Sequence, residues 1–281
     1  MKTFPKPLLA AFLLAAAHAA AAHEFWIDVQ PAAPAAGATA NVTLHVGEYF
    51  IGDLVGVTTS HAAAVRLYSK AGVADLGNRV PATSMLHSLP LSFPWPGTYV
   101  LAYESHPSEV VLPADKFHEY LRQEGLDAII RQREAAGTAG TPGRERFRRS
   151  AKALVAVGGR PDSTFGVATA QRLEITPTAD PLSAAPGDAL RFTLKFDGKP
   201  LAGVLMRAWH RRGVQTPATQ AVSDAQGQVV LQLPHAGPWL LNAVHMVPAT
   251  DSAVVDWDSF WGSLTFELPQ KRVTSGAAGQ R

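Results

Sequence analysis

The chain of 281 residues contains no cysteine. That absence excludes disulfides, thiolate metal sites and cysteine nucleophiles together. Any metal would have to be held by His, carboxylate, Met or backbone nitrogen. Charge is also scarce, at 17% of residues, and the formal net charge is +2. Without Lys2 and Lys6 of an apparent leader, the basic count is 25 − 2 = 23 against 23 acidic residues. A balanced chain has no overall attraction to nucleic acid or anionic membrane. Beyond the leader, no apolar run reaches the ~18 residues of a spanning helix. Catalytic signatures are missing too. There is no GxSxG elbow, no HExxH, no GxxxxGK[ST] and no strand-coupled GxGxxG, so hydrolase and nucleotide-binding chemistry lack support. A binding protein is expected rather than an enzyme.

What is present begins with the leader. Lys2 and Lys6 precede the short apolar run Leu8 to Ala17, and small residues follow to Ala22. This is the pattern of a cleaved secretory signal peptide over residues 1–22, and it places the mature protein in the periplasm. Cleavage after Ala22 would leave His23 first. Cleavage after Ala21 would leave Ala22-His23, and cleavage after Ala19 also satisfies the small-residue rule. A terminal His chelates Cu(II) or Ni(II) through its amine and Nδ1. Ala-His adds a deprotonated amide in a planar arrangement.

From His23 the chain alternates, with Phe25, Ile27 and Val29 on one face and Glu24, Trp26 and Asp28 on the other. Ala40, Val42, Leu44 and Val46 form a second such set, which leaves His45 on the opposite face. Gly47 to Asp53 reads as a turn with Glu48 at its start. Further strands are expected over 65–69, 85–93, 97–104 and 109–112. At Pro113 the period changes to helical, with Phe117, Tyr120 and Leu121 in register. Arg144, Arg146, Arg148, Arg149 and Lys152 form a basic run, expected to be a solvated helix face or to pair with nearby carboxylates. The second half opens near Arg172 and alternates through turns at Asp197-Gly198 and Asp224 to Gly227. The aromatic residues Trp95, Trp239, Trp257 and Trp261 are expected in cores.

The expected fold is mainly β. Two β-sandwich domains, Ig-like or transthyretin-like, would span 23–171 and 172–269, with a helical insertion near 114–150 and a flexible tail over 270–281. Gly198 to Val204, Ser223 to Gly227 and Gly237-Pro238-Trp239 resemble a carboxypeptidase-regulatory or transthyretin-like sandwich. A wider set runs through nearly all of the mature chain: Ala22 to Trp26, Val46-Gly47-Glu48, Lys116-Phe117 with Tyr120-Leu121 and Glu124-Gly125-Leu126, Arg144-Glu145-Arg146, and Ala243 to Met246 with the Trp257 to Phe266 segment. Together they resemble the bacterial exported domain-of-unknown-function family 4198, linked to periplasmic accessory components of nickel and cobalt uptake. The resemblance implies handling of a divalent transition metal, Ni, Co or Cu, beside an inner-membrane transporter or outer-membrane receptor. It also carries over His23 and His245 as metal ligands.

His45 and Glu48 are the next candidate ligands, and Asp256 and Asp258 are candidates to orient an imidazole. A histidine on an apolar face, as His245 is, is more often a hydrogen-bonded core residue than a ligand. Two other readings remain open: a non-metal ligand-binding, adhesion or carbohydrate-type module, and a copper histidine-brace oxidase that needs a second His near His23.

Overall fold

A computed structural model describes residues 23–211 and 218–270. The expected leader and the tail from 271 onward lie outside the described residues. In chain order the strands are β1 (Glu24–Gln30), β2 (Thr39–Glu48), β3 (Ile51–Val55), β4 (Ala62–Ser69), β5 (Gly72–Asp75), β6 (Leu89–Ser92), β7 (Gly97–Ser105), β8 (Ser108–Leu112), β9 (Gly143–Val157), β10 (Leu173–Pro177), β11 (Ala189–Phe196), β12 (Lys199–Pro200), β13 (Leu205–His210), β14 (Ala218–Val222), β15 (Gln228–Gln232), β16 (Gly237–Pro248) and β17 (Trp257–Leu268). Two helices, α1 (Ala114–Gln123) and α2 (Asp127–Ala135), interrupt them. The protein is mainly β and sandwich-like, as the alternation predicts.

A nine-stranded sheet in the order β14-β13-β16-β17-β9-β7-β4-β5, with β8 also on β9, forms the middle layer. Both faces of its central strands are covered, and β7 and β17 are buried along most of their length. Along β7 the residues alternate between two cores. Tyr99, Leu101 and Tyr103 pack with Phe25, Ile27, Val29 and Leu91. Val100 and Ala102 pack with Ile175, Phe192 and Leu194. The sheet of β1, β2, β3 and β6 therefore lies on one face, and that of β10, β11, β12 and β15 on the other. Each large apolar side chain so buried stabilises the fold by about 1.5–3 kcal/mol.

The two halves of the sequence meet inside the middle sheet. β9 pairs antiparallel with β7 and parallel with β17, from Trp257↔Glu145 to Thr265↔Ala153. Strands from both sides of residue 171 thus share one hydrogen-bonded layer. The parallel register sets the basic run beside two aspartates. Arg144 lies 2.7 Å from Asp256, and Arg146 and Arg148 lie 2.7 and 3.2 Å from Asp258. Asp256 and Asp258 are therefore committed to arginines and do not orient an imidazole. The basic run is strand, not helix. Arg144, Arg146 and Arg148 alternate with Glu145, Phe147 and Arg149, a period of two. The helical part of the insertion correspondingly ends at Ala135, and residues 143–150 belong to β9.

α1 buries Phe117, Tyr120 and Leu121 against Val244, Met246, Trp257 and Trp261, on the same face of the middle sheet as β1. A Cβ at Gly143 would collide with the Phe117 ring, so glycine is what lets α1 sit down on the start of β9. Of the four tryptophans expected in cores, Trp239, Trp257 and Trp261 are buried and Trp95 is not. β1 departs from the one-sided burial its alternation implies. Its edge rests on the middle sheet, where Thr265 Oγ1 donates to Ile27 O at 2.7 Å. Its second face is covered as well, because Trp26 packs with Phe50, Trp209 and Leu240.

Candidate functional site

Four elements converge where β1 begins. β2 and β3 form a hairpin whose two central residues, Tyr49 and Phe50, have φ of 59° and 63°. Such a turn normally takes Asn-Gly, and a bulky residue there is strained. The strain is held by packing. Phe50 meets Trp26 edge-on at 5.4 Å, and Tyr49 meets Trp209 at 5.2 Å. Gly47 and Gly52 face each other across the hairpin, and a Cβ on either would strike the other strand's backbone. This tight hairpin delivers Glu48 and Tyr49 to a cavity of ≈ 190 Å³. Its other walls are Glu24 from β1, Gln123 and Glu124 from the end of α1, and Arg207 and Trp209 from β13.

Three carboxylates thus share one cavity with one guanidinium. Arg207 Nη1 donates to Glu124 Oε2 at 2.8 Å. His23 Nδ1 lies 3.2 Å from Glu48 Oε1, an ion-pair distance without the alignment of a hydrogen bond. Glu24 is 6% exposed, and its Oε2 has no hydrogen-bond partner. Its pKa is pushed up from 4.5 to about 8, first by burial and then by the negative charge of Glu124. Glu124 is raised as well, by burial, and the Arg207 charge opposes the rise. A buried carboxylate oxygen without a partner is costly unless a proton or a cation neutralises it. At neutral pH burial favours the protonated form of Glu24 in this cavity.

The candidate residues read from the sequence separate. His23 and Glu48 come together, and of the two Glu48 lines the cavity. His45 does not join them. It stacks on Trp26 at 5.6 Å, and its Nε2 lies 2.9 Å from Thr43 Oγ1. Burial lowers its pKa. His245 lies on the opposite face of the middle sheet, 4.6 Å from the Phe196 ring, and burial lowers its pKa too. A ligand set joining His23 to His245 would have to pass through the sheet, so the pairing implied by the resemblance is not formed. Among the described residues no group of three or more His, Asp or Glu side chains stands ready to hold a metal ion.

Sequence reasoning missed Glu24, Glu124 and Arg207 as members of the site. A signal existed for the two glutamates. The segments Ala22 to Trp26, Val46 to Glu48 and Glu124 to Leu126 all carry the family resemblance, and each contributes one carboxylate to the same cavity. Arg207 had no such marker.

A family model described as Domain of unknown function (DUF4198) matches residues 20–247. The chain belongs to this family. The DUF4198 match contains every residue that walls the cavity and ends one residue before the end of β16. No curated protein matches the chain. Among solved structures, the native conformation of E. coli alpha-2-macroglobulin is similar at 14% identity and TM-score 0.26, over 84% of this chain and 13% of that one. A tetra-tandem repeat from the extending region of a large adhesion protein is similar at 11% identity and TM-score 0.23, over 88% of this chain and 50% of that one. The DUF4198 chain therefore spans at most half the length of these two structures. At these scores neither likeness assigns an activity.

Proposed function

We propose that this DUF4198 protein binds a divalent transition-metal cation, Ni, Co or Cu, at the cavity beside His23, in the periplasm, as an accessory to metal uptake. The ion would be cargo, passed to an inner-membrane transporter or outer-membrane receptor. The observation that carries the reading is the buried Glu24 carboxylate, whose Oε2 is unpartnered, sharing a cavity with Glu48 and Glu124, with the His23 imidazole 3.2 Å from Glu48. One imidazole and several carboxylate oxygens suit borderline cations, and cleavage after Ala22 would add the His23 α-amine. His23 and Glu48 would hold the ion, and Glu24 and Glu124 would supply the compensating charge. The C-terminal half, transthyretin-like in its turn sequences, serves in this reading as the scaffold that brings Arg207 and Trp209 to the cavity.

The test is calorimetric titration of the mature, untagged protein with NiCl₂, CoCl₂ and CuCl₂, with native mass spectrometry to define the amino terminus. His23→Ala and Glu48→Gln should each weaken binding by about tenfold or more, the usual range for loss of a metal-supporting group. His245→Ala and His45→Ala should leave it unchanged. No binding of any of the three ions, or equal binding by His23→Ala, would overturn the proposal.

A further inference from the structure

A second cavity, of ≈ 200 Å³, lies at the far end of β7. Phe25 packs on Tyr103, whereas this cavity is lined by Gly97 and Tyr99 at the strand's start, with Trp95, Lys70, Ser69 and Asp162 around them. Trp95 is 67% exposed. The backbone that carries this indole is held in place. Pro94 and Pro96 restrict the backbone on either side of it. The buried Tyr99 hydroxyl donates to Trp95 O at 3.1 Å and accepts from Trp95 N at 3.3 Å. The floor is built as firmly. Thr98 N donates to Asp162 Oδ2 at 3.3 Å, and Asp162 N donates back to Thr98 Oγ1 at 3.0 Å. Gly97 has φ +148°, and a Cβ there would sit 2.6 Å from Asp162 Oδ2, so only glycine lets the carboxylate approach.

We propose that this cavity is a saccharide-binding subsite that stacks one pyranose ring on Trp95, with Asp162 and Lys70 bonding its hydroxyls. A pyranose presents an apolar C–H face and a rim of donors and acceptors. The cavity presents one flat aromatic face bordered by a carboxylate and an ammonium, the few-polar-groups pattern of a small-ligand site. A protein partner would call for a larger contiguous apolar patch, yet Ser69, Lys70 and Thr98 border the indole. A quaternary ammonium calls for several aromatic faces, and here Tyr99 is buried and Lys70 repels a cation. The locked loop keeps the ordering cost of binding low. This subsite does not depend on the metal reading.

The experiment is saturation-transfer difference NMR on the mature full chain with cellobiose, maltose, lactose and diacetylchitobiose, and with a decaproline peptide as a competing ligand class. We expect transfer to the ring protons of at least one disaccharide. Trp95→Ala, an exposed position whose loss should leave the melting temperature unchanged, should weaken that binding about fivefold or more, as for loss of one stacked ring. Lys70→Ala should weaken it less, and His23→Ala should leave it intact. The proposal is overturned by absence of transfer to all four sugars, by transfer that survives Trp95→Ala, or by transfer to decaproline alone.

Discussion

Glu24 and Glu174 lie on opposite faces of the middle sheet and are almost equally hidden, at 6% and 5% exposure. They titrate in opposite directions. Burial raises both, but Glu174 ends below its ordinary value because Lys152 and the Thr169 amide and hydroxyl outweigh it. Its Oε1 accepts from Lys152 Nζ at 3.1 Å, Thr169 N at 2.6 Å and Thr169 Oγ1 at 2.8 Å. Burial pulls the Lys152 ammonium down, and the Glu174 charge and hydrogen bond beside it oppose that fall. For Glu24 burial and the charges of Glu124 and Glu48 outweigh its backbone hydrogen bond and the Arg207 charge, and one of its oxygens, Oε2, is bare. Burial alone therefore does not set the direction in which a carboxylate shifts. The partners do.

The largest expected effect breaks the satisfied side. Lys152→Met leaves Glu174 buried and uncompensated, and should cost about 3–5 kcal/mol. Urea unfolding at pH 7 measures it. A loss under about 1 kcal/mol would mean that Glu174 needs no cation, and the contrast with Glu24 would fail.

The next effect sharpens the unsatisfied side. The folded-state pKa of Glu24 lies above its unfolded value, so between pH 4.5 and about 8 the folded state binds more protons than the unfolded one. Stability of the metal-free protein should therefore fall as pH rises through that window, by up to about 5 kcal/mol. Glu145, raised to about 7 mainly by burial, adds to the same trend. Glu24→Gln should flatten the profile and raise the melting temperature at pH 8.5 while changing little at pH 5. A wild-type profile that rises from pH 5 to 8.5 would contradict this account. A smaller contrast is the exposed pair Arg172–Asp197, 2.7 Å apart with both side chains nearly half exposed. Arg172→Ala should cost under about 1 kcal/mol, because water already solvates both charges. Thermal melts at low and high salt measure it.

Much of the local architecture was legible. The period of two in Phe25, Ile27 and Val29 and the helical spacing of Phe117, Tyr120 and Leu121 appear as elements with those faces buried. The basic run was legible as a partner for carboxylates but not as a strand, since Arg144 to Arg149 carries no strong β formers apart from Phe147. The strained turn at Tyr49-Phe50 was not legible as a two-residue hairpin, because its residues lack the usual turn chemistry. Of the site, His23 and Glu48 were readable as a pair of candidates. His245 was placed with them by resemblance, and a sheet separates it from them.

By itself the sequence determined the elements whose periodicity is plain, such as β1, β2 and α1. Alternation and helical period depend only on neighbours along the chain, and so did the exclusion of thiolate chemistry. Only the tertiary structure decided that β9 lies parallel to β17, that β1 is buried on both faces, and that Glu24, Glu48 and Glu124 share one cavity. Those outcomes depend on contacts between residues as far apart as Arg146 and Asp258. They also depend on dielectric surroundings, which exist only once the layers have closed.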